Sequence, residues 1–183
     1  MKLRAATPGD AAAIAHIYAP YVAGSAVSFE TEPPDAAEVG RRMAAGGDLY
    51  PWLAAEAEDG TLAGYAYACA FRPRPAYRFT VETSVYLRPG AEGQGLGERL
   101  YRPLIEMLAA QGFTQAIAAI ALPNEASVRL HERLGFRPAG TYAKVGWKLG
   151  EWRDVGLWQR PLASPAAPPQ EPRPWKEIQS ILT

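Results

Sequence analysis

A glycine-rich stretch in the middle of the chain has the composition of an anion-binding loop. Gly93, Gly95 and Gly97 alternate with Gln94 and Leu96, after an apolar β-type run and before a helix-like pattern. Glycine lets the backbone turn tightly, so its amides can meet a phosphate at the positive end of the following helix dipole. The stretch predicts a phosphate-bearing ligand, and an ordinary tight turn between a strand and a helix is the alternative.

Two well-known phosphate loops do not fit this stretch. A P-loop requires Lys followed by Ser or Thr after its last glycine, whereas Gly97 is followed by Glu98 and Arg99. A dinucleotide fingerprint requires G-x-G-x-x-G early in a βαβ unit, whereas these glycines alternate in mid-chain. The sequence therefore disfavours nucleotide hydrolysis and dinucleotide binding.

The surrounding sequence predicts elements in the order β-α-α-β-β-β-α-β-α-β-β. The first helix is predicted to begin at Thr7-Pro8-Gly9-Asp10, where a cap, a helix-starting proline and an acidic residue follow one another. Asp59-Gly60 predicts a hairpin turn, and Asn124 and Gly135 predict the two ends of the last helix. The predicted strands are residues 3–5, 50–56, 62–71, 77–87, 115–121, 137–144 and 151–160.

The composition predicts one compact domain followed by a tail. The chain has 183 residues, of which 48% are hydrophobic, and both values are ordinary for a single globular domain. Residues 1–162 form the predicted domain. Residues 163–183 begin with a proline-rich segment, which predicts a flexible C-terminal tail.

Charge and hydropathy limit the partners of the chain. Lys and Arg balance Asp and Glu at 19 each, so no net field attracts nucleic acid or an anionic membrane. The longest apolar stretch, residues 62–71, is far shorter than the roughly 20 residues of a membrane span, and the N-terminus has no signal-peptide core. We therefore expect a cytoplasmic protein.

The single cysteine, Cys69, excludes an internal disulfide and a metal site built from cysteines. Its neighbours are small or aromatic, and this setting predicts a buried position in a strand. We expect no metal site.

One further motif, Asn124-x-x-Ser127-x-x-Leu130-His131-x-x-Leu134-Gly135-Phe136, follows the glycine loop. Together with the element order and the loop position, it resembles the GCN5-related N-acetyltransferase (GNAT) fold. That α/β fold has a mixed, mostly antiparallel sheet with helices on both faces, and its fourth and fifth strands splay apart to form a cleft. The resemblance implies that the loop holds the pyrophosphate of acetyl-CoA, the acetyl donor. The family pattern begins with Gln or Arg, and Glu92 departs from it here.

Three other segments narrow the resemblance. Residues 28–33, 71–86 and 146–160 are similar to the phosphinothricin and methionine sulfoximine acetyltransferases. This similarity spans roughly residues 3–162. It implies acetylation of the α-amine of a small amino-acid-like substrate, and it implies a homodimer.

Acetyl transfer to an amine requires a base, a polarised carbonyl and a proton for the departing thiolate. The resemblance assigns the base to Glu82 and the polarising group to the backbone amide of Leu87. His131 falls where many family members carry the tyrosine that protonates the thiolate, and its ordinary pKa suits that task. The alternatives are an exposed strand carboxylate for Glu82 and a half-buried helix histidine for His131.

The resemblance also implies the residues that contact the ligands. Arg72 and Arg74 are two residues apart, so both guanidinium groups could hold a carboxylate in forked hydrogen bonds; a surface charge cluster is the alternative. Tyr77, Phe29 and Trp147 are candidate pocket walls, or core residues. The implied cofactor contacts are Val85, Tyr86, Leu87, Gly93, Gln94, Gly95, Leu96, Gly97, Asn124 and Ser127. The implied substrate contacts are Phe29, Arg72, Pro73, Arg74, Glu82, Thr83 and Ser84.

The sequence thus predicts an acetyl-CoA-dependent N-acetyltransferase that acts on a substrate of the methionine sulfoximine, methionine sulfone or phosphinothricin type. Two alternatives stay open at this point. One is an acetyltransferase for protein N-termini or another small amine, and the other is a sensor that binds acyl-CoA without turnover.

Overall fold

The computed structural model describes residues 1–182, and its elements follow the order predicted from the sequence. The strands are β1 Lys2–Ala5, β2 Trp52–Glu56, β3 Leu62–Ala70, β4 Thr80–Leu87, β5 Gln115–Leu122, β6 Arg137–Lys148 and β7 Glu151–Pro161. The α-helices are α1 Ala11–Gly24, α2 Ala36–Gly46, α3 Leu96–Gln111 and α4 Glu125–Arg133. Short 3₁₀ turns lie at Pro8–Asp10, Pro75–Tyr77, Trp175–Glu177 and Gln179–Leu182.

The strands form one open sheet in the order β1-β2-β3-β4-β5-β7-β6. Neighbouring strands are antiparallel except β4 and β5, which run parallel. The β4–β5 ladder joins only Thr80–Glu82 to Gln115–Ile117, although both strands continue beyond it. The two strands therefore splay apart, and a gap opens in the middle of the sheet. This mixed, mostly antiparallel α/β architecture confirms the predicted fold class.

Helices cover both faces of the sheet. On one face α3 buries Leu100, Leu104 and Leu108 in the larger core. On the other face α1 packs Ile14 and Ile17 in a second core. Because successive side chains of a strand point to opposite faces, β4 presents a different set of residues to each core.

Two strand boundaries differ from the sequence prediction by three residues or more. Strand β4 begins at Thr80, not at residue 77, because Pro75 starts a 3₁₀ turn through Tyr77. Strand β6 continues to Lys148, and the pairing register shifts between Tyr142 and Gly146. An irregular register of this kind interrupts the alternation on which a sequence-based strand boundary depends.

Cys69 is exposed, which corrects the prediction of a buried position. It lies near the end of β3, opposite Glu82 of β4, whereas the adjacent Ala68 is fully buried on the other face. Its small and aromatic neighbours reflect the buried middle of β3 rather than this end of the strand.

The segment after the predicted domain contacts the helices. The amide of Arg173 donates to the carbonyl of Gln111 at the end of α3, and the amide of Trp175 donates to the carbonyl of Asp48. Ile178 is 7% exposed and belongs to the larger core. These contacts anchor the last part of the described chain, while the domain boundary at residue 162 stays a prediction.

Within residues 1–182, no helix combines the length and the hydropathy that crossing a membrane requires.

Candidate active site

The glycine loop adopts the backbone conformation that its composition predicts. Gly93 and Gly95 have positive φ angles of 79° and 73°, a region that residues with a Cβ rarely adopt, and Gly95 caps the N-terminus of α3. Gly97 serves a different purpose, because a Cβ there would lie 3.2 Å from the Leu130 side chain of α4, which is a tight contact. The loop thus directs the N-terminus of α3 toward a cavity, and Gly97 lets α4 pack closely against the start of α3.

This first cavity has a volume of about 520 Å³. It brings together the end of β4, the glycine loop and α4, so that backbone amides and a helix N-terminus face one space. Gln94 is exposed and lies outside it. The predicted cofactor contacts that line the cavity are Val85, Tyr86, Leu87, Gly93, Gly95, Leu96, Gly97, Asn124 and Ser127.

The unusual Glu92 turns its carboxylate onto the loop itself. Its Oε2 accepts a hydrogen bond of 2.7 Å from the amide of Gly90, so the side chain closes the tip of the loop. Two cations on α4, Arg129 and Arg133, line the cavity and lie one helical turn apart. These arginines were missed by the sequence analysis, although their spacing after the Asn124 cap was a usable signal.

The residues of α4 are positioned by a side-chain cap. Asn124 accepts a hydrogen bond of 3.1 Å from the amide of Ser127, and Gly135 closes the helix with a φ of 87°. Both ends of α4 therefore follow from local residue types. The cap also fixes Ser127 and His131 on the face that looks toward β4.

The backbone of Leu87 faces the gap between β4 and β5. Leu87 lies opposite Gly64 of β3. The neighbouring pair, Arg88 and Ala63, is hydrogen-bonded, since the amide of Arg88 donates to the carbonyl of Ala63. Leu87 is therefore in a non-hydrogen-bonded pair, which directs its amide and its carbonyl away from β3.

Strand β5 does not reach this amide, because the β4–β5 ladder ends at Glu82. The carbonyl of Leu87 accepts a hydrogen bond of 2.7 Å from the hydroxyl of Tyr21, which crosses from α1 and also lines the first cavity. The amide is left facing the cavity as a donor. Tyr21 is a second residue that the sequence analysis missed, since no local motif marks it.

A second cavity of about 450 Å³ lies on the α1 face of β4. Glu82, Ser84 and Tyr86 alternate along β4 and all line it, as strand geometry requires. Val27 and Tyr86 line both cavities, so the two spaces meet across the gap between the strands. This arrangement can hold two ligands side by side.

Glu82 is half-buried in the wall of the second cavity. Burial raises the pKa of its carboxyl group above the ordinary value, and the positive charge of Arg72 opposes that rise. A carboxylate with increased proton affinity is a better proton acceptor at neutral pH than an exposed one. The position and the pKa together suit a general base.

The loop after α1 completes the second cavity. The hydroxyls of Tyr18 and Ser28 are 2.6 Å apart, and Tyr18 donates to the Glu30 carboxylate at 3.0 Å. Arg42 holds both oxygens of Glu30, and this interaction lowers the pKa of Glu30. Of this loop, only Phe29 was singled out as a substrate contact in the sequence analysis; its side chain lines the cavity, and its contact with a substrate stays a prediction.

The remaining predicted substrate contacts lie elsewhere. Thr83 is buried and faces α3, where its hydroxyl lies 2.5 Å from that of Tyr101, because it alternates with Glu82 and Ser84 along the strand. Arg72, Pro73 and Arg74 are exposed and lie outside the second cavity. The structure therefore does not bring the two guanidinium groups onto the cavity wall.

Two of the candidate pocket walls are also exposed. Tyr77 is 42% exposed and packs edge-on against Phe71, and Trp147 is 59% exposed on β6. Neither side chain lines the second cavity. Only Phe29 of the three candidates forms part of the wall.

His131 is buried between α4 and α3, with 4% of its surface exposed. Its Nδ1 lies 2.8 Å from the carbonyl of Ser127, which can only accept, so Nδ1 carries the proton. Its Nε2 lies 3.1 Å from the hydroxyl of Tyr101, which then donates to it. Burial lowers the pKa of His131, so the imidazole is neutral at neutral pH.

Comparisons with known proteins agree with this geometry. The acetyltransferase (GNAT) domain family matches residues 3–157. Phosphinothricin N-acetyltransferase of Streptomyces viridochromogenes is 44% identical over 178 residues, which cover 97% of this chain and 96% of the relative. The L-methionine sulfoximine/L-methionine sulfone acetyltransferase of Salmonella typhimurium is 37% identical over 172 residues, which cover 92% and 98%.

A solved structure shows the same fold. The phosphinothricin acetyltransferase of Sinorhizobium meliloti, in complex with acetyl-CoA, superposes with a TM-score of 0.87 at 41% identity, covering 93% of this chain and 92% of that chain. The first cavity, with its glycine loop, unpaired amide and the two arginines of α4, fits a ligand of the same chemistry. The chain belongs to the GNAT family of N-acetyltransferases, and acetyl-CoA is its acetyl donor.

Proposed function

We propose that this enzyme acetylates the α-amine of a small amino-acid-like substrate of the phosphinothricin, methionine sulfoximine or methionine sulfone type. The names of the relatives support this substrate class. The observation that carries the proposal is the second cavity, which places Glu82 beside the gap through which it meets the acetyl-CoA cavity. Its volume of about 450 Å³ is in the range of small-molecule pockets.

Glu82 is the proposed general base. Its carboxylate takes a proton from the substrate ammonium, directly or through a water, and so prepares the neutral amine for attack. Acetyl-CoA supplies an activated acetyl group as a thioester. The amide of Leu87 donates to the thioester carbonyl, and the Tyr21 hydroxyl holds the carbonyl of the same residue. Because the two cavities meet, the amine attacks directly within a ternary complex.

His131 is the proposed source of a proton for the departing thiolate. It lines a small cavity between β4 and β5, together with Asn124 and Ser127. Nδ1 donates to Ser127 and Nε2 accepts from Tyr101, so His131 must exchange one of these partners to reach the thiolate, and its lowered pKa keeps most molecules neutral at neutral pH. We therefore expect His131 to contribute less to turnover than Glu82.

Arg72 is proposed to attract the substrate carboxylate from outside the cavity wall. Its charge acts on Glu82, and its guanidinium donates to the Tyr142 hydroxyl at 3.4 Å. Arg74 is proposed to assist it as the second cation of the pair. A cationic substrate such as a polyamine is disfavoured by both charges.

The experiment follows coenzyme A release from acetyl-CoA with the purified enzyme. The acceptors are L-methionine sulfoximine, L-phosphinothricin, methionine sulfone, the common amino acids, spermidine and a short peptide. Preferential turnover of the first three is the expected result. Preference for spermidine or the peptide would reject the proposed substrate class in favour of another amine. Acetyl-CoA binding without turnover of any acceptor would reject catalysis in favour of acyl-CoA sensing.

We also propose a cytoplasmic homodimer. The β6–β7 hairpin exposes several large apolar side chains, namely Val145, Trp147, Leu149 and Trp152, each more than half exposed. A second copy of the chain covering this surface would remove them from water. Light scattering should give the mass of a dimer, and Trp147→Glu should give that of a monomer; cell fractionation tests the location.

A further inference from the structure

A buried lysine on β6 contacts the loop that closes the second cavity. Lys148 is 8% exposed, and its Nζ donates to the carbonyls of Val22 and Ser28 at 2.6 Å each. Burying an ammonium group is costly unless its protons are bound. Val22 lies in the last turn of α1, where unpaired carbonyls carry the negative end of the helix dipole. Lys148 therefore joins this helix end to the following loop.

A second contact lies two residues earlier on the same face of β6. A Cβ at Gly146 would lie 2.1 Å from Cε2 of Phe29, so the aromatic ring rests directly on the glycine backbone. Gly146 is not required for a left-handed conformation, because its φ is not positive. The requirement is for space, and it is set by the ring that lines the second cavity.

The loop that these contacts hold has no regular secondary structure of its own. Its residues 27–30 nevertheless form part of the second cavity wall. Since no strand or helix ladder fixes their backbone, their position depends on side chains from other elements. Lys148 holds the backbone, Gly146 seats the ring, and Tyr18 contacts the hydroxyl of Ser28.

We propose that Lys148 and Gly146 are positioning residues for the amine acceptor, because β6 fixes the loop that forms the acceptor side of the site. This proposal rests on the proposed function of the second cavity. Of the residues in this loop, only Val27 also lines the first cavity, whose other walls are mainly the end of β4, the glycine loop and α4. The two residues therefore set the KM for the acceptor with little effect on acetyl-CoA.

The first test compares Lys148→Met with the wild-type enzyme. Methionine keeps the length of the stem and removes the donors, so both carbonyls lose a charge-assisted partner. We expect the acceptor KM to rise about tenfold or more, while the KM for acetyl-CoA changes less than about threefold. Lys148→Arg should restore part of the acceptor affinity. Lys144→Met, an exposed lysine of the same strand, is the matched control and should behave as wild type.

The second test uses the contact between Gly146 and Phe29. Gly146→Ala should push the ring into the cavity and raise the acceptor KM. Adding Phe29→Leu to Gly146→Ala should recover part of that loss, because the smaller side chain makes room for the methyl group. A double variant no better than Gly146→Ala alone would overturn the assignment of Gly146.

Hydrogen exchange provides a readout that needs no substrate. In Lys148→Met, the amides of residues 25–30 should exchange faster, while those of α3 should exchange as in the wild type. Unchanged exchange in this loop, or an acceptor KM equal to that of the wild type, would overturn the proposal. Loss of acetyl-CoA binding along with acceptor binding would also overturn it. These outcomes can be told apart from a failure of the proposed function. If the proposed function is wrong, the wild-type enzyme itself shows no turnover with any amine.

Discussion

Replacing Glu82 by Gln removes the proposed base and keeps the size of the side chain. Only one other carboxylate, Glu30, lines the second cavity among the described residues. It cannot take over the role, because Arg42 holds both of its oxygens and lowers its pKa, and Tyr18 donates to it as well. The variant therefore has no substitute base in the cavity.

The expected loss of kcat in Glu82→Gln is large because no other carboxylate in the second cavity can act as the base. A positioned general base contributes roughly 10²- to 10⁴-fold to turnover. With Glu30 occupied, we expect a loss in kcat of about 10³-fold for Glu82→Gln, which corresponds to about 4 kcal/mol of activation free energy. Glu82 does not line the first cavity, so acetyl-CoA affinity should be unchanged.

Although Glu82→Gln should lower kcat, it should raise the free energy of unfolding at neutral pH. The pKa of Glu82 is raised in the folded state, chiefly by burial, so the folded chain favours the protonated form. Its stabilising contribution is present at acidic pH and is lost as the pH rises through the raised pKa. At neutral pH the ionised group is therefore a cost. Glu82→Gln should be more stable than the wild type there, with the difference shrinking as the pH falls.

The assay measures steady-state kinetics with a saturating acceptor from pH 5 to 9, alongside acetyl-CoA binding by calorimetry and urea denaturation. The wild type should lose activity as the pH falls through the pKa of Glu82, and the variant should lack this acidic limb. A kcat within about threefold of the wild type, with the acidic limb retained, would refute the role of Glu82. Ser84→Ala, a change at a neighbouring wall residue without a titratable group, is the control and should keep the acidic limb.

Other predictions address the glycine loop, the helix cap and the buried histidine. Gly95→Ala forces a Cβ into a left-handed conformation and should weaken acetyl-CoA binding at least fivefold by calorimetry, whereas Gly60→Ala, with a similar φ far from the cavity, should only destabilise the fold. Asn124→Ala should cost about 1 kcal/mol of unfolding free energy in urea and weaken acetyl-CoA binding, whereas Asp35→Ala, which removes the cap of α2, should cost stability alone. His131 has a lowered pKa, so its contribution to stability is complete above the ordinary histidine value and is lost as the pH falls. His131→Gln should therefore flatten the decrease in unfolding free energy between pH 7.5 and 5.5, and an unchanged slope would contradict a buried neutral imidazole.

Much of the fold and part of the site could be predicted because the signals are local. The Asn124 cap, the left-handed glycines and the Asp59-Gly60 turn each depend on residues within a few positions of one another. The first cavity is assembled largely from such signals, and for that reason nine of the ten predicted cofactor contacts line it. The order of elements followed from the same caps, turns and periodicities.

The acceptor side could not be predicted in the same way. Thr83 was grouped with its neighbours, although strand alternation places it on the opposite face. Arg72 and Arg74 are suitably spaced, but the 3₁₀ turn beginning at Pro75 leaves them exposed beside β4. Spacing along the chain does not determine where an irregular segment points.

The sequence by itself determined the elements, the glycine loop and the family, because these depend on residue types and short spacings. Only the tertiary structure decided which backbone groups face the site. The free amide of Leu87 depends on where the β4–β5 ladder ends, and its carbonyl is held by Tyr21, 66 residues away. Lys148 reaches the carbonyl of Ser28 across 120 residues. Such contacts form only when separate elements pack together, so a pattern of neighbouring residues does not predict them.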